Sequence, residues 1–317
     1  MNILLPKTIT ASMFQAGTTI PAVDTAAGEV AWVSGTNYVV KDRRVDGDYT
    51  YECVQPITSA PQNTYAPSDA RSGGFWLKDE GAPTNRMAPF DKYLFTKARK
   101  PTSLTYVIRP GFVTGLYLGA LEADRLDISV KAGGVDLIPP LVGVDLWETP
   151  FDEYEYLFGD LQRGTYFTLK DLPLNPNVEI TIRVYRNTPG VEAAVGYISL
   201  GTWKRLLAPK QMALSGAQYG VEATTKDYSY TKDNDDGTYV EVPGRKATII
   251  NLTCVIDANQ APAAKSLLDQ ILGKAVAVEV SELPRYSHLA TVAKVTGSIR
   301  TTSWTTAEAS ITLKGNV

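Results

Sequence analysis

Val178-Glu-Ile-Thr-Ile-Arg-Val-Tyr185 alternates without a break: Val178, Ile180, Ile182 and Val184 share one face of an extended chain, and Glu179, Thr181 and Arg183 share the other. Successive side chains of a strand point to opposite faces, so this period of two describes a half-buried strand of an antiparallel sheet. Working outward, period-two segments recur at residues 104–109, 112–118, 125–131, 165–170 and 194–200. Gly133-Gly134, Pro139-Pro140 and Asn175-Pro176 punctuate them. So dense a series of short strands predicts a β-sandwich of the jelly-roll kind over residues 87–201.

A second β-unit is expected over residues 202–317. Long strands are predicted at 218–230 and 245–257, flanking Asp233-Asn-Asp-Asp-Gly237 as a turn, with further strands at 275–280, 290–299 and 307–313. One helix interrupts them near 262–272. Pro262 suits its first turn, Ala263, Ala264, Leu267, Leu268, Ile271 and Leu272 form an apolar stripe, and Gly273 ends it. Residues 28–86 form a small aromatic-rich module, with strands predicted at 38–40 and 49–54 and Asp46-Gly47-Asp48 as the turn between them. Its aromatic rings are expected to supply most of its core. Residues 1–27 read as an extended N-terminal arm that tethers subunits. The fold class is therefore all-β and multi-domain.

Composition agrees. At 317 residues the chain exceeds what one core usually supports, and its 17 Tyr, 25 Gly and 19 Pro suit pleated surfaces joined by tight turns. A net charge of −3 with both signs interspersed carries no nucleic-acid footprint. No run approaches the roughly 18 apolar residues of a membrane span. Met1-Asn-Ile-Leu-Leu-Pro6 lacks the basic start and apolar core of a secretory signal, so folding in a cytoplasm is expected. Cys53 and Cys254, about two hundred residues apart, are expected to be buried free thiols.

The search for chemistry finds little. His288 is the only histidine, so any histidine-based triad must pass through it, and it sits in a loop-like Pro284-Arg-Tyr-Ser-His288. Paired carboxylates for glycosidic cleavage would come from Asp145, Glu148, Asp152, Glu153 and Glu155 around Trp147 and Tyr154, where charge more often marks a solvated face. Asp233–Gly237 has no twelfth-position Glu of a calcium loop and reads as a hairpin turn. No catalytic residue, metal site or cofactor is expected. The one binding constellation is aromatic. Trp32, Tyr38, Tyr51 and Trp76 on a small β-module are the candidates for stacking on the C–H face of a sugar.

Ala31-Trp-Val-Ser-Gly-Thr-Asn-Tyr38, followed by Tyr49-Thr-Tyr-Glu-Cys53, resembles the small chitin-binding-type carbohydrate-binding modules, with Lys41-Asp42 at the place where they favour Gly-Asp. Phe75-Trp-Leu-Lys-Asp-Glu-Gly-Ala-Pro-Thr-Asn-Arg-Met-Ala-Pro-Phe-Asp91 resembles a junction segment of tailed-bacteriophage structural proteins that leads into a galactose-binding-like β-sandwich. Their closing strand is similar to Val195-Gly-Tyr-Ile-Ser-Leu-Gly201, and Asp227-Tyr-Ser229 with Arg245 also resembles virion proteins. The resemblance implies a non-enzymatic virion protein of a tail tip, baseplate or distal tail. It would be a homo-oligomer bound to tail-tube, baseplate and fibre proteins, working by assembly and adhesion to a cell-surface glycan. Long antiparallel strands beside one helix resemble the ring-forming fold of tail tubes, in which neighbouring subunits cover exposed edges. A head- or neck-associated decoration protein and a glycan-processing enzyme with a binding module stand as alternatives.

Overall fold

The computed structural model describes residues 1–147, 150, 152–159, 162–206, 216–233 and 237–316. In chain order the strands and helices are β1 (Asn2–Pro6), β2 (Arg43–Asp46), β3 (Tyr49–Cys53), β4 (Trp76–Pro83), β5 (Ala98–Pro101), β6 (Ser103–Ile108), β7 (Gly115–Glu122), β8 (Arg125–Ala132), β9 (Val135–Asp136), β10 (Leu141–Asp145), α1 (Glu153–Phe158), β11 (Tyr166–Leu169), β12 (Val178–Tyr185) and β13 (Glu192–Arg205). They continue as β14 (Gly216–Ala217), β15 (Glu222–Asp227), β16 (Tyr230–Asp233), β17 (Tyr239–Val242), β18 (Lys246–Asp257), α2 (Ala261–Ile271), β19 (Ala275–Glu279), β20 (Ala290–Thr301) and β21 (Thr306–Gly315). The protein is all-β and multi-domain. Two compact units account for the chain, one formed by Lys7–Leu200 and the other by Met1–Pro6 together with Gly201–Val317.

In the unit of residues 7–200, β12 lies centrally in a sheet of order β10–β8–β12–β6, with β9 on β8. Ile182 pairs with Ile128 on one side and Tyr106 on the other. The alternation read from the sequence holds. Val178, Ile180, Ile182 and Val184 are buried, while Arg183 is exposed. At about 1.5–3 kcal/mol for each fully buried aliphatic side chain, this one strand contributes several kcal/mol of burial. A one-residue slip would turn its apolar set to water, which pins the register. The facing side chains come from Leu116 and Leu118 of β7 and from Val195 and Leu200 of β13. On the outer face Glu179 pairs with Arg109 at 2.8 Å and Asp127 with Arg183 at 3.8 Å.

The aromatic-rich module in this unit is a three-stranded sheet, β2–β3–β4. Asp46-Gly47-Asp48 makes its first turn, with Gly47 at φ +62°. No strand forms at 38–40; Tyr38 makes a single bridge to Ile57, and the strand preceding the turn is Arg43–Asp46. The reason is a tight turn over Val39–Asp42, closed by Asp42 N–H donating to the Val39 carbonyl at 3.1 Å. Lys41 sits in it at φ +75°, a conformation that favours glycine. We therefore expect Lys41→Gly to stabilise the protein by about 0.5–1 kcal/mol, or leave it unchanged if unfolded-state entropy offsets the relief. Denaturant unfolding of both proteins measures it.

The junction segment supplies β4 and then a buttress. Asn85 donates through Nδ2 to Asp24 Oδ2 at 2.6 Å and to the Arg99 carbonyl at 3.1 Å. Its Oδ1 accepts from Arg99 N–H at 2.9 Å, and its own N–H donates to Glu29 Oε1 at 2.5 Å. The Tyr106 hydroxyl donates to the Arg86 carbonyl at 3.0 Å, and Phe90 packs edge-on against Tyr106 and Phe14. Asp91 caps the segment, accepting from Tyr93 N–H at 2.7 Å and Thr96 Oγ1 at 2.8 Å. Burial pushes its carboxyl up from 3.8 to about 6 against those hydrogen bonds. A carboxyl raised on folding adds stability that is complete below the unfolded value and lost as pH rises through the folded one. Asp91→Asn is thus expected to show its largest stability gain over the parent above pH 6 and none below about pH 4, as read by thermal unfolding across pH.

The expected free arm is corrected at its start. Residues 2–6 form β1, paired with β13 and β19, with Ile3 and Leu4 fully buried. A short apolar run finds an open strand edge, and burial outweighs the freedom of a tether. In the unit of residues 1–6 with 201–317, β1–β19–β20–β21–β18 form a continuous sheet, with β14 and β15 both on β18. Helix α2 covers one face. Ala264, Leu267, Leu268 and Ile271 are buried against Leu252, Ile256 and Val295, and Gly273 follows at φ +78°. Leu272, expected in the apolar stripe, lies past the helix end and is exposed.

The predicted strand at 218–230 is broken. Asp227 Oδ1 accepts from Ser229 N–H and Oγ, Gly244 N–H donates to Ser229 Oγ at 2.8 Å, and the chain kinks into β16. A Cβ on Gly244 would overlap the Tyr228 backbone, so only glycine permits this approach. Residues 234–236 of the predicted turn lie outside the described residues.

Candidate functional site

The four aromatic candidates converge, and they form a core. Tyr38, Tyr51 and Trp76 are buried together with Cys53 and Ile57, and half-buried Trp32 packs against them. Tyr38 stands edge-on to Trp76 with centroids 5.0 Å apart. Its hydroxyl accepts from Val33 N–H and donates to the Val33 carbonyl, both at 2.8 Å. Burial, then the charge of Asp46, pushes the Tyr51 hydroxyl upward. A sugar needs an open ring face, and Tyr38, Tyr51 and Trp76 offer none. The glycan-stacking assignment to these residues is therefore corrected. So small a module has no aliphatic supply for a core and spends its rings on one.

Among the described residues the carboxylate cluster does not close into a site. Asp145 ends β10 in an exposed position, and Asp152 is occupied as a helix cap, its Oδ1 accepting from Glu155 N–H at 2.8 Å. Glu153 and Glu155 lie on α1, every residue of which is exposed. Glu148 lies outside the described residues. His288 is exposed in a short 3-10 segment. Both cysteines are free and buried, and burial raises both thiols. Among the described residues no group of three or more His, Cys, Asp or Glu is placed to hold a metal ion. A buried acid, Asp124, is held from several sides. It receives Arg163 Nε at 2.7 Å, Arg186 Nη1 at 3.4 Å and Asn187 N–H at 2.8 Å, and Arg163 stacks on Trp147. Every charge there is answered, which makes it a fold-locking cluster.

What the protein exposes is more distinctive. β16 and β17 pair only with each other among the described residues, and their register sets Tyr230 opposite Val242 and Asp233 opposite Tyr239. Tyr230 is 61% exposed and Tyr239 69%. β15 pairs with β18 on one side, has no strand on the other among the described residues, and is exposed along its whole length. An isolated two-stranded ribbon is at best marginally stable in water, and an open edge is a template for another chain. α1 adds a third exposed feature, with Tyr154, Tyr156, Leu157 and Phe158 all uncovered. Sequence reading assigned these segments to a strand, a turn and a carboxylate cluster. The usable signal was the density of tyrosine and apolar residues between charged ones in both.

Two grooves lie in the unit of residues 1–6 and 201–317. One, of about 510 Å³, runs over the open face of β18, β20 and β21. Asn251, Thr253, Thr296, Ser298, Ser310 and Thr312 line it with Gln218 and Glu222, so it offers hydroxyls, amides and one carboxylate. The other, of about 470 Å³, lies beside α2 and is lined about equally by aliphatic and polar groups, with two cations at its margin, Lys204 and Arg205. Neither arrangement places an acid against a base for bond cleavage. No protein-family model matches this chain, and no curated protein or solved structure is found to be similar to it.

Proposed function

We propose that this protein is a structural component of a tailed-bacteriophage particle, at the tail tip or baseplate, that oligomerises and connects the tail tube with fibres or adhesion modules. The observation that carries the reading is the β-ribbon β16–β17, exposed except at half-buried Val242, and the open edge of β15, exposed along its length. Surfaces of this kind gain by burial against another chain, and they suit a protein that works through large shared contacts. The similarity of residues 75–91 and 195–201 to segments of virion proteins supports the particle assignment.

The test is location. An antibody raised against the purified chain, visualised with gold on tailed particles, is expected to label the end of the tail. Label on the head shell or neck would transfer the protein to a decoration role. Absence of label from particles dissociated to expose every component would overturn the virion reading.

A further inference from the structure

α1 is the least explained element of the fold. It has six residues, too few to be stable alone, and all of them are exposed. Tyr154 is 72% exposed, Leu157 66% and Phe158 73%. These three stand at i, i+3 and i+4, so they share one face, and the Tyr154 and Phe158 rings touch with centroids 5.2 Å apart. Asp152, Glu153 and Glu155 flank that stripe, and α1 carries no basic residue. An amphipathic turn of this pattern is the form in which a helix enters a groove. Three carboxylates make an anionic membrane surface an unfavourable partner.

A groove of matching character is present in the same chain. Beside α2, Leu5, Leu206, Ile256 and Leu267 line an open depression of about 470 Å³ together with Gln260, Ser266 and Gln270, with Lys204 and Arg205 at its margin and no acid among its described lining residues. Both cations are exposed; Arg205 makes a loose contact with Glu282 at 3.8 Å. Apolar stripe with acidic flanks faces apolar groove with basic margin, and the two are complementary in both respects.

We propose that α1 of one copy docks in the groove beside α2 of a second copy, placing Tyr154, Leu157 and Phe158 on the aliphatic floor and Glu153 and Glu155 towards Lys204 and Arg205. The inference rests on the oligomeric reading above and gives it a contact. Knob and groove are different surfaces, so the contact is either exchanged reciprocally within a two-fold dimer or repeated head to tail into a ring or filament.

Sedimentation of the purified full-length chain tests it. The parent is expected to self-associate, and Leu157→Ser with Phe158→Ser is expected to weaken association at least tenfold with unchanged far-UV circular dichroism. Charge reversal then identifies the partner surfaces. Glu153→Lys/Glu155→Lys in one protein and Lys204→Glu/Arg205→Glu in another should each fail to associate alone, and an equimolar mixture should regain the parental assembly. A mixture that stays dissociated, or α1 variants that assemble like the parent, would overturn the docking while leaving a gold-labelled tail position intact. A parent that remains monomeric at its solubility limit would overturn the docking as well.

Discussion

Gly201→Ala is expected to destabilise the unit that contains β1 by about 3–5 kcal/mol, lowering its calorimetric transition by roughly 10–20 °C. Gly201 pairs with Pro6 at the end of the β1–β13 ladder, and a Cβ there would overlap the Leu5 carbonyl oxygen. The obstacle is backbone, so no rotamer change relieves it, and β1 must shift. Ile3 and Leu4, both fully buried, would then lose part of their burial, which at about 1.5–3 kcal/mol each accounts for the magnitude. Thr202→Ala, one residue along and half-buried, is the control and should cost under about 1 kcal/mol. If Gly201→Ala melts with the parent, the close approach of β1 is wrong.

Asn85→Ala is expected to cost about 2–4 kcal/mol in the other unit. It deletes the bonds to Asp24, to the Arg99 carbonyl and from Arg99 N–H, and the first of these engages a buried carboxylate. Neutral hydrogen bonds contribute about 0.5–1.5 kcal/mol each and those to charged groups about 1.5–3, with an added penalty where a buried partner is stranded. Asn85→Asp should be worse near neutral pH, because a third carboxylate would join Asp24 and Glu29, and acidification should recover part of the loss. Urea unfolding of both variants at neutral and acidic pH measures the difference. An Asn85→Ala protein as stable as the parent would remove the buttress from the account.

Much of the fold was legible because alternation is a local signal. Val178–Tyr185 was readable residue for residue, and α2 was marked by Pro262 at its start and Gly273 at its end. Period two does not say which edge a strand will join. Residues 2–6 were read as an arm because their partners, 201–205 and 278–279, lie far along the chain. The break at Asp227-Tyr228-Ser229 depends on a side-chain bond across to Gly244, which no window over one strand contains. The aromatic candidates were misplaced for a related reason. Trp32, Tyr38, Tyr51 and Trp76 do cluster, but whether a ring faces sugar or core depends on how much other apolar material the module holds. α1 drew attention for its acids and for Tyr154, since six residues hold too little periodicity to mark a helix.

The strand β1 has a consequence for the order of events as the chain is made. It is made before its partners, since the ladders that complete it come from residues 201–205 and 278–279. The whole of Lys7–Leu200 is synthesised in between, and it has its own core to collapse around. Met1–Pro6 therefore waits as an unpaired apolar strand until residues 201–205 have been made, and its second side stays open until 278–279 follow. The unit it belongs to is the later of the two to finish, however early its first residues are born.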